Sequence, residues 1–191
     1  MRFAYADPPY LGCCGLYGHR HEEPYGCWDD VRTHVYLLAT LDCMYDGWAM
    51  SLSTTSMGAI FAAAQGLAPL PGNKPRVRIA AWVKPFAAFK ANVRIAYSWE
   101  PVLFVSGRDS SKDGAPVGRD HLAEPITMRK GLIGAKPERF CRWVADLLGY
   151  VDGDELVDLF PGTGIMGRTL AQGTLALATL PPEPEGTNDG A

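Results

Sequence analysis

Near its start the sequence sets a carboxylate, two stiff residues and an aromatic ring in immediate succession: Asp7-Pro8-Pro9-Tyr10. Such a set suits the grip of an exocyclic amine on a nucleobase. That amine is a poor nucleophile, because its lone pair is delocalised into the ring. A carboxylate (Asp7) and a backbone carbonyl (Pro8) accepting its two hydrogens would draw the nitrogen toward tetrahedral geometry and free the pair. Proline suits the carbonyl position, since it has no competing N–H and a fixed φ. Tyr10 can stack on an extruded base. The plainer reading is a stiff turn that closes a strand.

Far along the chain lies Asp158-Leu159-Phe160-Pro161-Gly162-Thr163-Gly164. Glycines at 162 and 164 would let backbone amides and a helix N-terminus approach a ligand closely. By itself this also reads as a tight strand-to-helix turn. Chemistry needs the two stretches in one pocket, so the elements between them matter.

Arg2 to Ala6 reads as a short buried strand stopped by the prolines. Residues 11–28, with four glycines among aromatics and histidines, read as a functional loop. Asp29 or Asp30 caps a helix with Val35, Leu38, Leu41 and Tyr45 at helical spacing, ended by Asp46-Gly47. Trp48 to Ser53 is a strand, Met57 to Gln65 a short helix, and Val77 to Val83 a further strand. Lys84 to Ser98 is a basic connector, and Glu100-Pro101 leads into the strand Val102 to Ser106. Residues 107–135 read as a long mobile loop. Glu138 to Leu148 is an amphipathic helix with Phe140, Val144 and Leu147 inward, stopped at Gly149. Leu156 to Phe160 reads as a buried strand, Ile165 to about Gln172 as a helix, and Thr174 to Leu180 as a final strand. From Pro181 onward the composition is that of a disordered tail. Alternating strands and helices predict one α/β domain over residues 1–180, with a mostly parallel sheet covered on both sides.

The 191 residues are 47% hydrophobic and 20% charged, ordinary for a soluble globular domain. The start leaves no room for a signal-peptide core, and no run approaches a membrane span, so a cytoplasmic location is expected. Five cysteines without a repeated spacing argue against a disulfide framework. His19 and His21 between Cys14 and Cys27 raise a zinc loop as a minor reading against plain thiols. The net charge is −3, but its distribution is uneven. Residues 74–142 hold 14 basic and 6 acidic side chains, while residues 143–191 hold 1 basic and 8 acidic. The middle third could therefore meet phosphates, or could be a set of solvated cations. Lys84, Lys90, Arg94, Arg108, Arg129 and Lys130 are the residues expected at a nucleic acid.

Asp7-Pro8-Pro9-Tyr10 resembles the catalytic motif of S-adenosylmethionine-dependent amino-methyltransferases acting on adenine or the cytosine amine. The stretch Asp158 to Gly164 resembles their cofactor motif. With the catalytic motif first, the order is similar to the permuted class of the DNA enzymes, and small phage-type members look closest. Gly134-Ala135-Lys136-Pro137, Trp82-Val83-Lys84-Pro85 and Trp99-Glu100-Pro101-Val102-Leu103 are similar to other motifs of these families, so the likeness covers most of residues 3–172.

The resemblance implies a Rossmann-like methyltransferase sheet in which the strands ending at Asp7 and Phe160 lie side by side mid-sheet. It implies S-adenosylmethionine as cofactor, held by Ala6, Asp7, Lys136, Asp158, Phe160, Gly162, Thr163 and Gly164. It implies catalysis by Asp7, Pro8, Pro9 and Tyr10 on an adenine amine in DNA, flipped out of the duplex, by a monomer or homodimer. The cytosine amine, adenine in RNA, and a catalytically silent nucleic-acid-binding module remain alternatives. The ribose acid that such enzymes place after the next strand has only Glu183 as a counterpart, so the sheet is expected to be short at its C-terminal edge. No separate target-recognition domain is visible, which leaves residues 11–28, 84–98 and 107–135 to read the target.

Overall fold

A computed structural model of the chain describes residues 1–13, 28–64, 76–85, 94–108, 118–127 and 135–178. Most of the loop expected at 11–28, with its histidines, and the tail from Pro181 fall outside them. The elements in chain order are β1 (Arg2–Ala6), α1 (Val31–Met44), β2 (Gly47–Ser51), α2 (Met57–Ala64), β3 (Arg78–Val83), β4 (Trp99–Val105), β5 (His121–Ala123), α3 (Glu138–Leu148), β6 (Glu155–Asp158) and α4 (Ile165–Ala178).

The six strands form one open sheet in the order β5-β3-β4-β2-β1-β6. β1 runs parallel to both β2 and β6, and β3 runs parallel to β5. β4 alone is reversed, antiparallel to β2 and to β3. The expected mostly parallel α/β sheet is therefore what forms among the described residues, with one antiparallel insertion. That insertion turns the start of β4 toward the edge where the parallel strands end. Pro101 is tolerated there because its carbonyl does the pairing, accepting Leu52 N–H at 3.0 Å.

Both faces are covered, as the alternation required. On one face Phe3, Tyr5, Trp82, Val102 and Phe104 meet Phe140, Trp143, Val144 and Leu148 of α3 and Met166 of α4. On the other, Ala4, Trp48, Met50 and Leu103 meet Leu37, Leu38 and Leu41 of α1 and Ile60 of α2. At 14 residues α1 is marginal as an isolated helix, so this burial holds it, each enclosed leucine contributing about 1.5–3 kcal/mol. Asp30 caps α1 by accepting Arg32 N–H, as the sequence led one to expect. No helix among the described residues is long and apolar enough to cross a membrane.

Several sequence expectations are corrected. Gly47 does not end α1, whose C-cap is Tyr45. It opens β2, where an added Cβ would lie 2.6 Å from the Gly107 nitrogen, so a side chain is excluded by close backbone approach. The inward face of α1 is rotated from the one expected: His34 and Leu37 are buried and Val35 only half so. Within the expected loop 107–135, His121–Ala123 pairs with β3. The strand β6 is half-exposed rather than buried, because among the described strands it lies at the sheet edge and pairs only with β1. It is therefore not mid-sheet, although β1 is. Thr174 to Ala178, expected to begin a strand, continues α4. The apolar alanine–leucine run there suits a helix as well as a strand, and Gly173 does not break it.

Candidate active site

Parallel strands deliver their following loops to one edge, and here β1 and β6 are direct neighbours in register, Tyr5 opposite Asp158. Asp7 follows β1, and Leu159 N–H bonds the Tyr5 carbonyl at 3.0 Å, so the two motifs leave the sheet side by side. Asp7-to-Tyr10 and Asp158-to-Gly164 thus stand as the two walls of a candidate crevice at that edge, with Asp7 close enough for its charge to act on the Asp158 carboxyl.

On the β6 side the wall is made of backbone. Gly162 and Gly164 have φ of 45° and 68°, left-handed values that admit glycine readily. Gly164 N–H bonds the Pro161 carbonyl at 2.5 Å, and Arg168 N–H bonds the Gly164 carbonyl at 3.2 Å as α4 begins. A Cβ added at Gly162 would approach nothing closer than the Phe160 carbonyl at 3.7 Å, so the turn is open above. Asp158 accepts Phe160 N–H at 3.1 Å. Burial pushes its carboxyl up to about 6, the Phe160 N–H opposes this, and the charge of Asp7 adds to it. Ala6 is fully buried beneath the crevice, and Thr163 is half-exposed at its lip.

On the β1 side the wall is made of charged side chains. Lys136, buried just before α3, places its ammonium 3.2 Å from Asp7 Oδ1 and 3.2 Å from Glu100 Oε2. Glu100, from the start of β4, also pairs through Oε1 with Lys84 at the end of β3. The Tyr10 hydroxyl stands 3.3 Å from Asp7 and 3.2 Å from Glu100. The rings of Trp82, Phe140 and Tyr10 surround the Lys136 ammonium at 5.4, 5.6 and 5.9 Å. Two carboxylates and two ammonium groups thus form a neutral set, the condition under which burying charge is tolerable.

Burial raises the Asp7 carboxyl above an ordinary aspartate, Lys136 pulls it back, and Glu100 raises it further. Burial alone would lower the Lys136 ammonium, but Asp7 and Glu100 outweigh it, so lysine stays charged. Glu100 feels the same burial, yet its two lysines hold it below the usual glutamate value. Beneath them, Tyr5 and Ser51 share a buried hydrogen bond of 2.8 Å.

The Pro8-Pro9 turn is itself held from α1. His34 is fully buried, with Nε2 3.2 Å from the Pro9 carbonyl and Nδ1 3.4 Å from the Asp30 carbonyl. Burial lowers its pKa, which favours the neutral ring; the nitrogen that keeps its hydrogen donates to the carbonyl it faces, Pro9 for Nε2 or Asp30 for Nδ1. Trp28 packs edge-on against His34 at 5.3 Å and against Phe160 at 5.2 Å. The Pro8-Pro9 turn and the approach to the glycine turn are therefore joined through His34 and Trp28.

The sequence singled out neither Glu100 nor His34 as a site residue. A signal for Glu100 was present, a carboxylate in a strand-like stretch with Pro101 after it, but its meaning depends on β4 running backwards. His34 lay one position from the expected face of α1. The residues expected at phosphates fare unevenly. Lys84 is committed to Glu100, and Arg108 to Asp154, the Gly149 carbonyl and the Phe3 ring. Arg94 is exposed, and Lys90, Arg129 and Lys130 lie outside the described residues. Arg76, Arg78, Arg139 and Arg142 also stand in ion pairs, so much of the basic middle third is matched by carboxylates of the chain itself. Among the described residues no group of three or more His, Cys, Asp or Glu could hold a metal ion.

No protein-family model matches the chain, and no curated protein matches it either. Solved structures do. One is the crystal structure of the M1.HpyAVI–SAM complex, which aligns with a TM-score of 0.53 at 12% identity over 89% of this chain and 77% of that one. At that identity the likeness is one of fold: this chain has the Rossmann-like α/β sheet that a protein crystallised with SAM also has.

Proposed function

We propose that the protein transfers a methyl group from S-adenosylmethionine to the exocyclic amine of adenine in DNA, as a small phage-type member of the permuted amino-methyltransferases. The observation that supports this reading is the pairing of β1 with β6, from whose adjacent ends the stretch with Asp7 and the stretch leading into the Gly162–Gly164 turn both depart. The fold shared with a SAM-bound protein supports it.

The residues of the crevice fit such a cofactor. The open glycine turn offers backbone, Asp158 a partly buried carboxylate, and Phe160, Thr163, Ala6 and Lys136 the surrounding walls. When bound, the cofactor supplies an electrophilic methyl on a cationic sulfur. The chain does the rest by position. Asp7 and the Pro8 carbonyl accept the amine hydrogens and localise its lone pair, and the Tyr10 ring offers a face at the crevice rim. Tyr10 is fixed there by the ties of its hydroxyl to Asp7 and Glu100. His34 holds the following carbonyl and so keeps the turn from rotating.

Purified protein incubated with methyl-labelled S-adenosylmethionine and DNA should yield labelled N6-methyladenine on nucleoside digestion. Label in cytosine, or in RNA only, would change the acceptor. No label with any nucleic acid would overturn the reading. One observation favours a silent binding module instead: α4 continues through Ala178, where the strand that precedes the ribose acid in such enzymes was expected. Calorimetry separates the two, since no heat of binding at millimolar S-adenosylmethionine belongs to the silent module.

A further inference from the structure

An amine gripped by Asp7 needs a carboxylate lone pair pointing into the crevice. In the structure Asp7 Oδ1 already faces two donors, the Lys136 ammonium at 3.2 Å and the Tyr10 hydroxyl at 3.3 Å. Both donors stand at matching distance from a second carboxylate, Glu100 Oε2, 3.2 Å from each. The other oxygen of Glu100 is paired with Lys84, so Glu100 stays ionised and its Oε2 remains an acceptor.

We propose that Glu100 is a positioning residue for Asp7: it offers Lys136 and Tyr10 an alternative seat, so that an incoming amine can take Asp7. This rests on the amine-gripping reading above. When the amine binds, Lys136 and the Tyr10 hydroxyl turn wholly to Glu100. No carboxylate is then left without a donor, and the ammonium keeps an anion within its aromatic surround. The exchange costs little because charge moves by about one hydrogen-bond length and no ion has to enter water. Glu100 can play this part because β4 is reversed. Its second residue sits opposite Trp82 at the crevice edge, on the same face as Lys136, rather than at the far end of the sheet.

The alternative is a Glu100 that merely braces the fold. The two differ in what neutralising it does to Asp7. With Glu100→Gln, Lys136 has only Asp7 as an anionic partner and tightens onto it. Asp7 then holds its proton less well and its Oδ1, the oxygen that Lys136 and Tyr10 face, is withheld from the amine. With Lys84→Met the opposite follows, because an uncompensated Glu100 draws Lys136 away. The other groups facing Asp7 are unchanged by either variant: Tyr10 in its own turn, Tyr5 beneath and Asp158 on β6.

The test is a carboxyl-carbon NMR titration of wild type, Glu100→Gln and Lys84→Met, with Asp7→Asn used to assign the Asp7 signal. The Asp7 midpoint should fall by about one pH unit in Glu100→Gln and rise in Lys84→Met. Unmoved midpoints, or shifts of the same sign in both variants, overturn the proposal. Kinetics on the same proteins should show acceptor KM raised about tenfold in Glu100→Gln, with S-adenosylmethionine affinity unchanged. Unchanged acceptor KM in an active Glu100→Gln enzyme also overturns it. A wild type that transfers no methyl group overturns the reading of function instead, since the titration is read without substrate.

Discussion

Around Asp7 the crevice is built by side chains from separate stretches of chain, residues 7–10, 84, 100 and 136, whose ion pairs close distances the sequence leaves wide. Across from it, the wall at Asp158 to Gly164 comes from one stretch, held by short-range bonds to its own backbone and by the bond of Leu159 N–H to the Tyr5 carbonyl. The first half is preset by charge, so altering a single partner redistributes protons and hydrogen bonds among the rest. The second half is preset mainly by backbone conformation: its glycine turn responds to added side-chain volume, and charge reaches this wall through Asp158. The function proposed above asks for a polar grip on one side and close approach to backbone on the other, and that division suits it.

The contrast can be broken in order of expected size. Asp7→Ala should lower kcat for methyl transfer by about 10³-fold, the scale for removing a preorganised polar contact, while calorimetry finds S-adenosylmethionine affinity within about threefold of wild type. Equal losses on both sides would show that the two halves are not separate.

Asp154→Asn tests a site remote from the crevice. Asp154 is nearly enclosed and meets the Arg108 guanidinium in a two-point pair, which holds its carboxyl well below the ordinary value. Losing the pair should cost about 2–3 kcal/mol in denaturant unfolding. Because the folded pKa is depressed, this contribution is present above the unfolded value of about 4 and fades as pH falls below it. Wild-type stability should therefore drop more steeply than that of Asp154→Asn on acidification, with both halves of the crevice affected alike.

Gly164→Ala should weaken S-adenosylmethionine binding by about tenfold, through strain at a positive φ worth about 1 kcal/mol and crowding of the Arg168 side chain. The Asp7 titration should not move, and a shift there would mean that the glycine turn is coupled to charge after all. His34→Leu should lower kcat by up to about tenfold by freeing the Pro9 carbonyl, and His34→Gln, which keeps a donor near the Nε2 position, should restore most of it.

The same contrast explains what could be read from the amino-acid sequence. The glycine wall is local, so Pro161 to Gly164 announced a strand-to-helix turn before any fold was known. The extent of α3 and the capping of α1 by Asp30 were legible for the same reason, each resting on a few adjacent residues. Glu100 was not legible as a partner of Asp7, since nothing in the pattern of Trp99 to Val105 says which way the strand runs. His34 was missed because a polar residue on a helix is assigned outward by default, and the distant Pro9 carbonyl and Trp28 ring that enclose it meet it only in the fold. The end of α4 was misread because residues such as Leu175, Ala176 and Leu177 satisfy two periodicities at once. Short-range conformation was visible, whereas strand direction and the pairing of distant charges had to come from the assembled sheet.

The reversal of β4 carries one more consequence. Since β3 finishes and β4 starts at the crevice rim, both ends of their connector are anchored beside Glu100, through a bond of 2.7 Å from Lys84 N–H to the Ser98 carbonyl. Residues can be added or removed inside that connector without disturbing strand register. Relatives of this protein could thus vary the length of that connector while inheriting the charged wall around Asp7 intact.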